Sequence, residues 1–182
     1  MVMQLRNIDI RELEKIHIGH KCIKFILRGS FSRLFLMEYS GDQYALKVKR
    51  FNVQRACEKL NFNRFSLLKL VKKMIKEAKI LQQLHHRNIS SIRGYSYWIA
   101  KDDKGKDFFH VHIGFPFYEK GDLTNLPYRQ SEAEITDYLV QILKGLYYIH
   151  EKNIIHRNLI PHHIFRTKEG NQIVLKIGDF GS

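Results

Sequence analysis

Cysteine is scarce in this sequence: Cys22 and Cys57 are the only two among 182 residues. Two cannot staple a disulfide scaffold; they fit free thiols in a reducing compartment, with the cytosol or nucleus as the default location. No run of about 18 apolar residues exists, so the sequence predicts no membrane-spanning helix. The opening Met1-Val2-Met3-Gln4-Leu5-Arg6 reaches charge without the apolar run that a signal peptide needs. Proline occurs only three times, and apolar and aromatic content is ordinary for a globular protein. A chain of 182 residues can build one good core or two small lobes.

Acidic residues are also in short supply: 18 Asp and Glu against 31 Lys and Arg give a formal net charge of +13. Much of the excess lies over 50–79, where Arg55, Lys59, Arg64, Lys69, Lys72, Lys73, Lys76 and Lys79 face only Glu58 and Glu77. The simplest reading of that run is the solvated face of a helix. The charge leaves nucleic acid, an acidic protein or a lipid surface open as a partner. No zinc-finger spacing or aromatic-basic RNA-binding signature accompanies it.

Residues 1–20 alternate charged and apolar groups without a chemical motif and read as a short N-terminal extension packed on the first lobe. Strands are predicted over 25–27, 34–39 and 44–49, with a hairpin turn at Ser40-Gly41-Asp42. Period two places Ala45 and Lys47 on one face of the third strand and Tyr44, Leu46 and Val48 on the other. Leu67, Leu70, Val71, Met74, Ala78, Leu81 and Leu84 follow helical spacing. Glu77 falls on that inward apolar face, where a lone carboxylate is costly unless paired, and Lys47 is the expected counter-ion. Two further strands are predicted over 92–99 and 108–115, joined by a charged turn. Ser131-Glu132-Ala133-Glu134 reads as a capping box. It opens a helix with Ile135, Leu139, Ile142, Leu143, Leu146 and Ile149 on one face.

One stretch organises the rest: Ile155-His156-Arg157-Asn158-Leu159-Ile160-Pro161-His162-His163-Ile164, then a turn at Lys168-Glu169-Gly170-Asn171, a strand-like run over 172–177, and Asp179-Phe180-Gly181. It resembles the catalytic loop and Asp-Phe-Gly of eukaryotic-type protein kinases, whose loop normally reads H-R-D-x-x-x-x-N. Tyr44-Ala45-Leu46-Lys47 resembles the family's V-A-I-K strand, and the segment from Glu77 to Ile89 resembles its third helix and following turn. The resemblance covers about residues 24–182. It implies an α+β, bilobal fold: a five-stranded antiparallel N-lobe sheet with its αC helix over 21–115, carrying an insertion at about 51–65, and a mainly helical C-lobe over 116–182. The sequence stops just after Asp-Phe-Gly, so the expectation is an incomplete C-lobe whose long helix exposes an apolar patch that seeks a partner.

The resemblance further implies an ATP-binding cleft served by Mg²⁺. Its nucleotide-binding positions fall on Ile26, Gly29, Leu34, Ala45, Lys47, Pro116, Tyr118, Asp122 and Phe165. Lys47 would reach the α- and β-phosphates, the Pro116 carbonyl and Tyr118 amide would hold adenine, Asp122 the ribose, and Phe165 the floor; Phe115 would guard the back pocket. Of the family's three loop glycines only Gly29 is present, with Leu27 and Ser32 at the outer positions, which predicts hindered approach to phosphate. Asn158 stands at the base position and His163 at a metal-ligand position, with Asp179 as the remaining metal ligand. Neutral Asn158 cannot accept the hydroxyl proton, Ile160 removes a lysine that Ser/Thr kinases usually carry, and Mg²⁺ prefers oxygen to imidazole. Pro161 favours Ser/Thr-kinase ancestry. The resulting expectation is a pseudokinase that binds nucleotide weakly and acts as a scaffold or regulator in signalling through a protein partner. The alternatives are a residually active Ser/Thr kinase and a basic interaction module without nucleotide.

Overall fold

A computed structural model describes residues 10–29, 32–59, 64–126 and 129–181, with the side chains of Cys57, Lys59 and residues 64–67 outside that description. The opening hexapeptide, Ser30 and Phe31 of the glycine loop, Ser182, and the Cys57 and Leu67 side chains therefore lie outside the described residues. The chain forms two compact units. The first takes the described residues up to Ala78 together with Ile92–Phe117, and the second takes Lys79–Ser91 and the described residues from Tyr118 onward.

The first unit is built on five antiparallel strands in the order β1 (Lys21–Arg28), β2 (Arg33–Tyr39), β3 (Asp42–Asn52), β5 (Asp107–Pro116), β4 (Gly94–Lys101). Ser40 and Gly41 join β2 to β3 with φ of 51° and 84°, the left-handed pair that a two-residue hairpin turn requires. Strand periodicity then separates two cores. Tyr44, Leu46 and Val48 pack with Cys22, Phe35 and Met37 on one face. On the other, Phe51, Phe109, Val111 and Ile113 meet Ala56 of α2 (Val53–Lys59) and Ile75 and Ala78 of α3 (Arg64–Leu81). Each fully buried large aliphatic contributes about 1.5–3 kcal/mol.

Two stretches differ from their sequence reading. Within residues 1–20, which carry no predicted element, Ile10–Ile16 forms a helix, α1, whose Leu13 is fully buried in the first core. Two turns anchored by one leucine are too short to show a hydrophobic period. The segment read as an insertion from about residue 51 begins inside β3, where Phe51 and Asn52 pair with Phe109 and Phe108. The Asn52 side chain then accepts the Arg55 N–H at 2.7 Å and starts α2.

In the second unit α4 (Glu132–Glu151) opens on the predicted capping box, with Ser131 and Glu134 bonding each other's backbone N–H. It packs on the hairpin β6 (Ile164–Glu169) and β7 (Gln172–Ile177). Gly145 of α4 lies so close to its neighbours that a Cβ would fall 2.8 Å from Ile177 Cδ1 and 3.1 Å from the Asn88 carbonyl. Gln141 ties the layers further: its Oε1 accepts from Asn88 Nδ2 and Leu175 N, and its Nε2 donates to the Ile173 carbonyl. Ile135, Leu139, Val140, Leu143 and Tyr147 of α4 remain exposed among the described residues.

Candidate functional site

The sequence-predicted site residues fall in both units. In the first, Glu77 is 1% exposed, turned inward by the apolar spacing of α3. Its Oε1 accepts from Lys47 Nζ at 2.9 Å, as the sequence predicts. Its Oε2 accepts from Lys49 Nζ, also at 2.9 Å, and Lys49 donates again to the Met74 carbonyl at 3.3 Å. Lys49 was missed, although strand period puts it on the same face as Lys47, one step along. Both oxygens of Glu77 are thus taken up by lysines of β3.

Around them, Leu34 pairs with both Leu27 and Lys47, Ala45 with Leu36 and Phe115, and Pro116 with Tyr44. Ile26 lies at an irregularity of β1 between Phe25 and Leu27. The Gly29 N–H donates to the Ser32 carbonyl at 2.9 Å, and the Ser32 Oγ sits 3.0 Å from where a Gly29 Cβ would be. The Ser32 side chain thus lies against the one loop glycine, and Leu27 is 50% exposed beside it.

The second unit holds the loop around Asn158. His156 is buried; its Nε2 faces the Gly178 carbonyl at 2.8 Å and its Nδ1 accepts the Asn158 N–H at 3.4 Å. These bonds fit a neutral ring, and burial lowers its pKa despite the Gly178 carbonyl. His163 bridges the loop to the Asp-Phe-Gly turn. Its Nδ1 donates to the Asn158 carbonyl at 2.8 Å, and its Nε2 lies 3.4 Å from Asp179 Oδ2. Arg157 and Asp179 have φ of 65° and 59°, a left-handed backbone that non-glycine residues adopt rarely. Phe180 is buried edge-on against His156 at 4.8 Å between centroids.

Tyr118, Asp122 and Phe165 also belong to this unit. Tyr118 stacks on Phe165 at 5.4 Å, and its hydroxyl is 3.0 Å from Ser90 Oγ. Asp122 is engaged on both oxygens. One accepts from the Thr124 N–H and hydroxyl and caps a short 3-10 turn, Leu123–Asn125; the other lies 3.3 Å from His162 Nδ1. Burial works against ionisation, but the bonds from Thr124 and then His162 hold the Asp122 carboxyl below its usual range. His162 carried no assignment in the sequence, since a partner 40 residues away has no local signal.

A model of the protein kinase domain matches residues 21–182, and this decides the family. The chain belongs to the protein kinase family. Its sequence is 29% identical over 191 residues to "Mitosis inhibitor protein kinase SWE1" of Candida albicans, covering 96% of this chain and 14% of that protein. It is 36% identical over 132 residues to human "Mitogen-activated protein kinase 4", covering 70% and 22%, and 27% identical over 164 residues to mouse "Serine/threonine-protein kinase Nek4", covering 87% and 18%. The kinase chain thus spans less than a quarter of the length of these relatives.

Protein kinases generally use ATP and Mg²⁺. In the first unit the group that fits a phosphate is Lys47, a cation fixed by the buried Glu77 carboxylate. The position that the kinase motif would give to Mg²⁺ fits the ion poorly. Asp179 faces an imidazole where Mg²⁺ wants oxygen donors, and among the described residues no three His, Cys, Asp or Glu side chains converge as a ligand set. Also among the described residues, no helix is long and apolar enough to cross a membrane.

Proposed function

We propose that this kinase domain is a pseudokinase that holds ATP weakly through Lys47, transfers phosphoryl groups poorly, and works as a scaffold or regulator by docking on another protein. The observation that carries this reading is His163, whose ring is fastened to the Asn158 carbonyl and faces the Asp179 carboxylate. That side chain crowds the one acidic metal ligand, and Asn158 beside it is no base. Loss of a general base alone costs about 10²–10⁴-fold in rate. Lys47 would engage the α- and β-phosphates, oriented by Glu77, and Asp122 would reach a ribose only by releasing its intrachain partners.

The test is a thermal-shift titration with ATP, with and without Mg²⁺, on the wild type and Lys47→Met. A ligand that binds only the folded state raises the melting temperature. The expected result is a small shift, indifferent to Mg²⁺, that Lys47→Met lacks. Mg²⁺-dependent phosphorylation of a protein substrate, abolished by Lys47→Met, would overturn the pseudokinase reading. It would favour instead the residually active Ser/Thr kinase, for which the 2.9 Å Lys47–Glu77 pair speaks.

A further inference from the structure

In the sequence Glu77 is the one carboxylate among the lysines from Lys69 to Lys79. In the structure Glu77 points into the core and is consumed by Lys47 and Lys49, so it neutralises nothing outside. On the outer side of α3, Lys69, Lys72, Lys73 and Lys76 are all exposed. At 3.6 residues and 5.4 Å per turn, the four fall within an arc of about 100° and a length of about 10 Å. Among the described residues, no carboxylate lies within ion-pair distance of Lys72, Lys73 or Lys76. Like charges three and four residues apart repel along a helix, and an anion laid over them relieves that repulsion. We infer that this face of α3 is an electrostatic docking surface for an acidic, Asp/Glu-rich segment of a protein partner. Such docking is independent of whether the domain binds a nucleotide.

The chemistry of the stripe selects among polyanions. It is a narrow row with lysine at each turn, which matches carboxylates repeating along an extended or helical peptide. Its residues are lysines, compact point charges, without the planar guanidinium forks that recognise phosphate in two-bonded fashion. Among the described side chains of α3 no aromatic interleaves to stack bases, as single-stranded RNA binding uses. The apolar face of α3 cannot enter a membrane, because Leu70, Val71, Met74, Ile75 and Ala78 are packed in the core against β3 and β5.

The experiment measures binding of a fluorescent peptide of about ten Asp and Glu residues at about 50 mM and 200 mM salt, without nucleotide. Three proteins are compared: wild type, the triple variant Lys72→Glu, Lys73→Glu, Lys76→Glu, and a charge-matched control, Lys101→Glu, Lys104→Glu, Lys106→Glu. The control lysines are exposed around the β4–β5 turn, which also carries Asp102, Asp103 and Asp107. Circular dichroism melts establish that all three fold. The expected result is binding that weakens with salt, an approximately tenfold or greater loss in the α3 variant, and near wild-type binding in the control. Equal loss in both variants would reduce the effect to net charge and overturn the assignment. So would the absence of peptide binding at low salt, or tighter binding of charge-matched single-stranded RNA or phosphatidylserine vesicles than of the peptide. Because ATP is left out, failure here and failure of the pseudokinase reading are separate results.

Discussion

At the scale of single residues, Glu77 is a buried carboxylate paired twice, and its second lysine changes how the first behaves under mutation. Removing one lysine leaves the buried carboxylate with a cation, whereas removing both strands it. Lys47→Met and Lys49→Met should therefore each fold, while the double variant should lose about 3–5 kcal/mol, the usual consequence of an unpaired buried charge. Urea denaturation of the three variants checks this; a double variant no worse than the sum of modest single effects would contradict it. His163 carries a second residue-scale expectation. Replacing both odd loop residues, Asn158→Asp with His163→Asn, supplies a carboxylate base and an oxygen ligand, so the ATP-induced thermal shift should become Mg²⁺-dependent. A shift still blind to Mg²⁺ would place the defect elsewhere. Lys47, Glu77 and Asn158 were readable from spacing and motif. Lys49 shares the face of Lys47 by strand period, but no motif marks it, and His162 has no local signal because its partner Asp122 lies 40 residues away.

At the scale of elements, propensity and packing disagree at Gly145. Alanine in mid-helix is favoured over glycine by about 1 kcal/mol in isolation. Here the added methyl would press on Ile177 and on the fixed Asn88 carbonyl. Gly145→Ala should therefore destabilise, by about 1–3 kcal/mol as overpacked sites do, lowering the melting temperature while α4 keeps its helical signal. An unchanged or raised melting temperature would mean that β7 gives way. The capping box and the strand alternation of β3 were legible, since both are local patterns. The first helix was not, because Leu13 is recognisable as a core residue only against the sheet that covers it.

At the scale of the whole molecule, the sheet face that packs against α1 holds a histidine cluster that should shape acid stability. His110 and His112 are each 1% exposed, and their atoms Nδ1 and Nε2, respectively, have no hydrogen-bond partner among the described residues. His17 Nε2 meets His112 Nδ1 at 2.8 Å, and Trp98 stacks on His110 at 5.0 Å. Burial, then neighbouring positive groups, pushes His110 down to about 4 and His112 to about 3. The unfolded chain takes up these protons near the ordinary histidine value of about 6.5, so stability from both rings is complete above that pH and lost as pH falls below it. Between about pH 6.5 and 4.5 the slope should approach 2.7 kcal/mol per pH unit for two protons, and His112→Leu should halve it. Denaturation series at stepped pH test this, and a flat profile down to pH 4.5 would refute it.

What the sequence alone determined is whatever rests on order and local spacing: the strand alternation, the amphipathic spacing of α3 and α4, the capping box, and the loop and Asp-Phe-Gly motifs that carry the family match. These survive because a motif fixes residue type at a set distance along the chain, and backbone geometry turns that distance into a face or a turn. Only the tertiary structure decided which groups spend their charge on each other. Glu77 is divided between two lysines, Asp122 between Thr124 and His162, and His163 is fastened to Asn158 beside Asp179. Those choices depend on contacts between segments far apart in sequence. They turn Glu77, the one carboxylate between Lys69 and Lys79, away from the lysines on the outer face of α3.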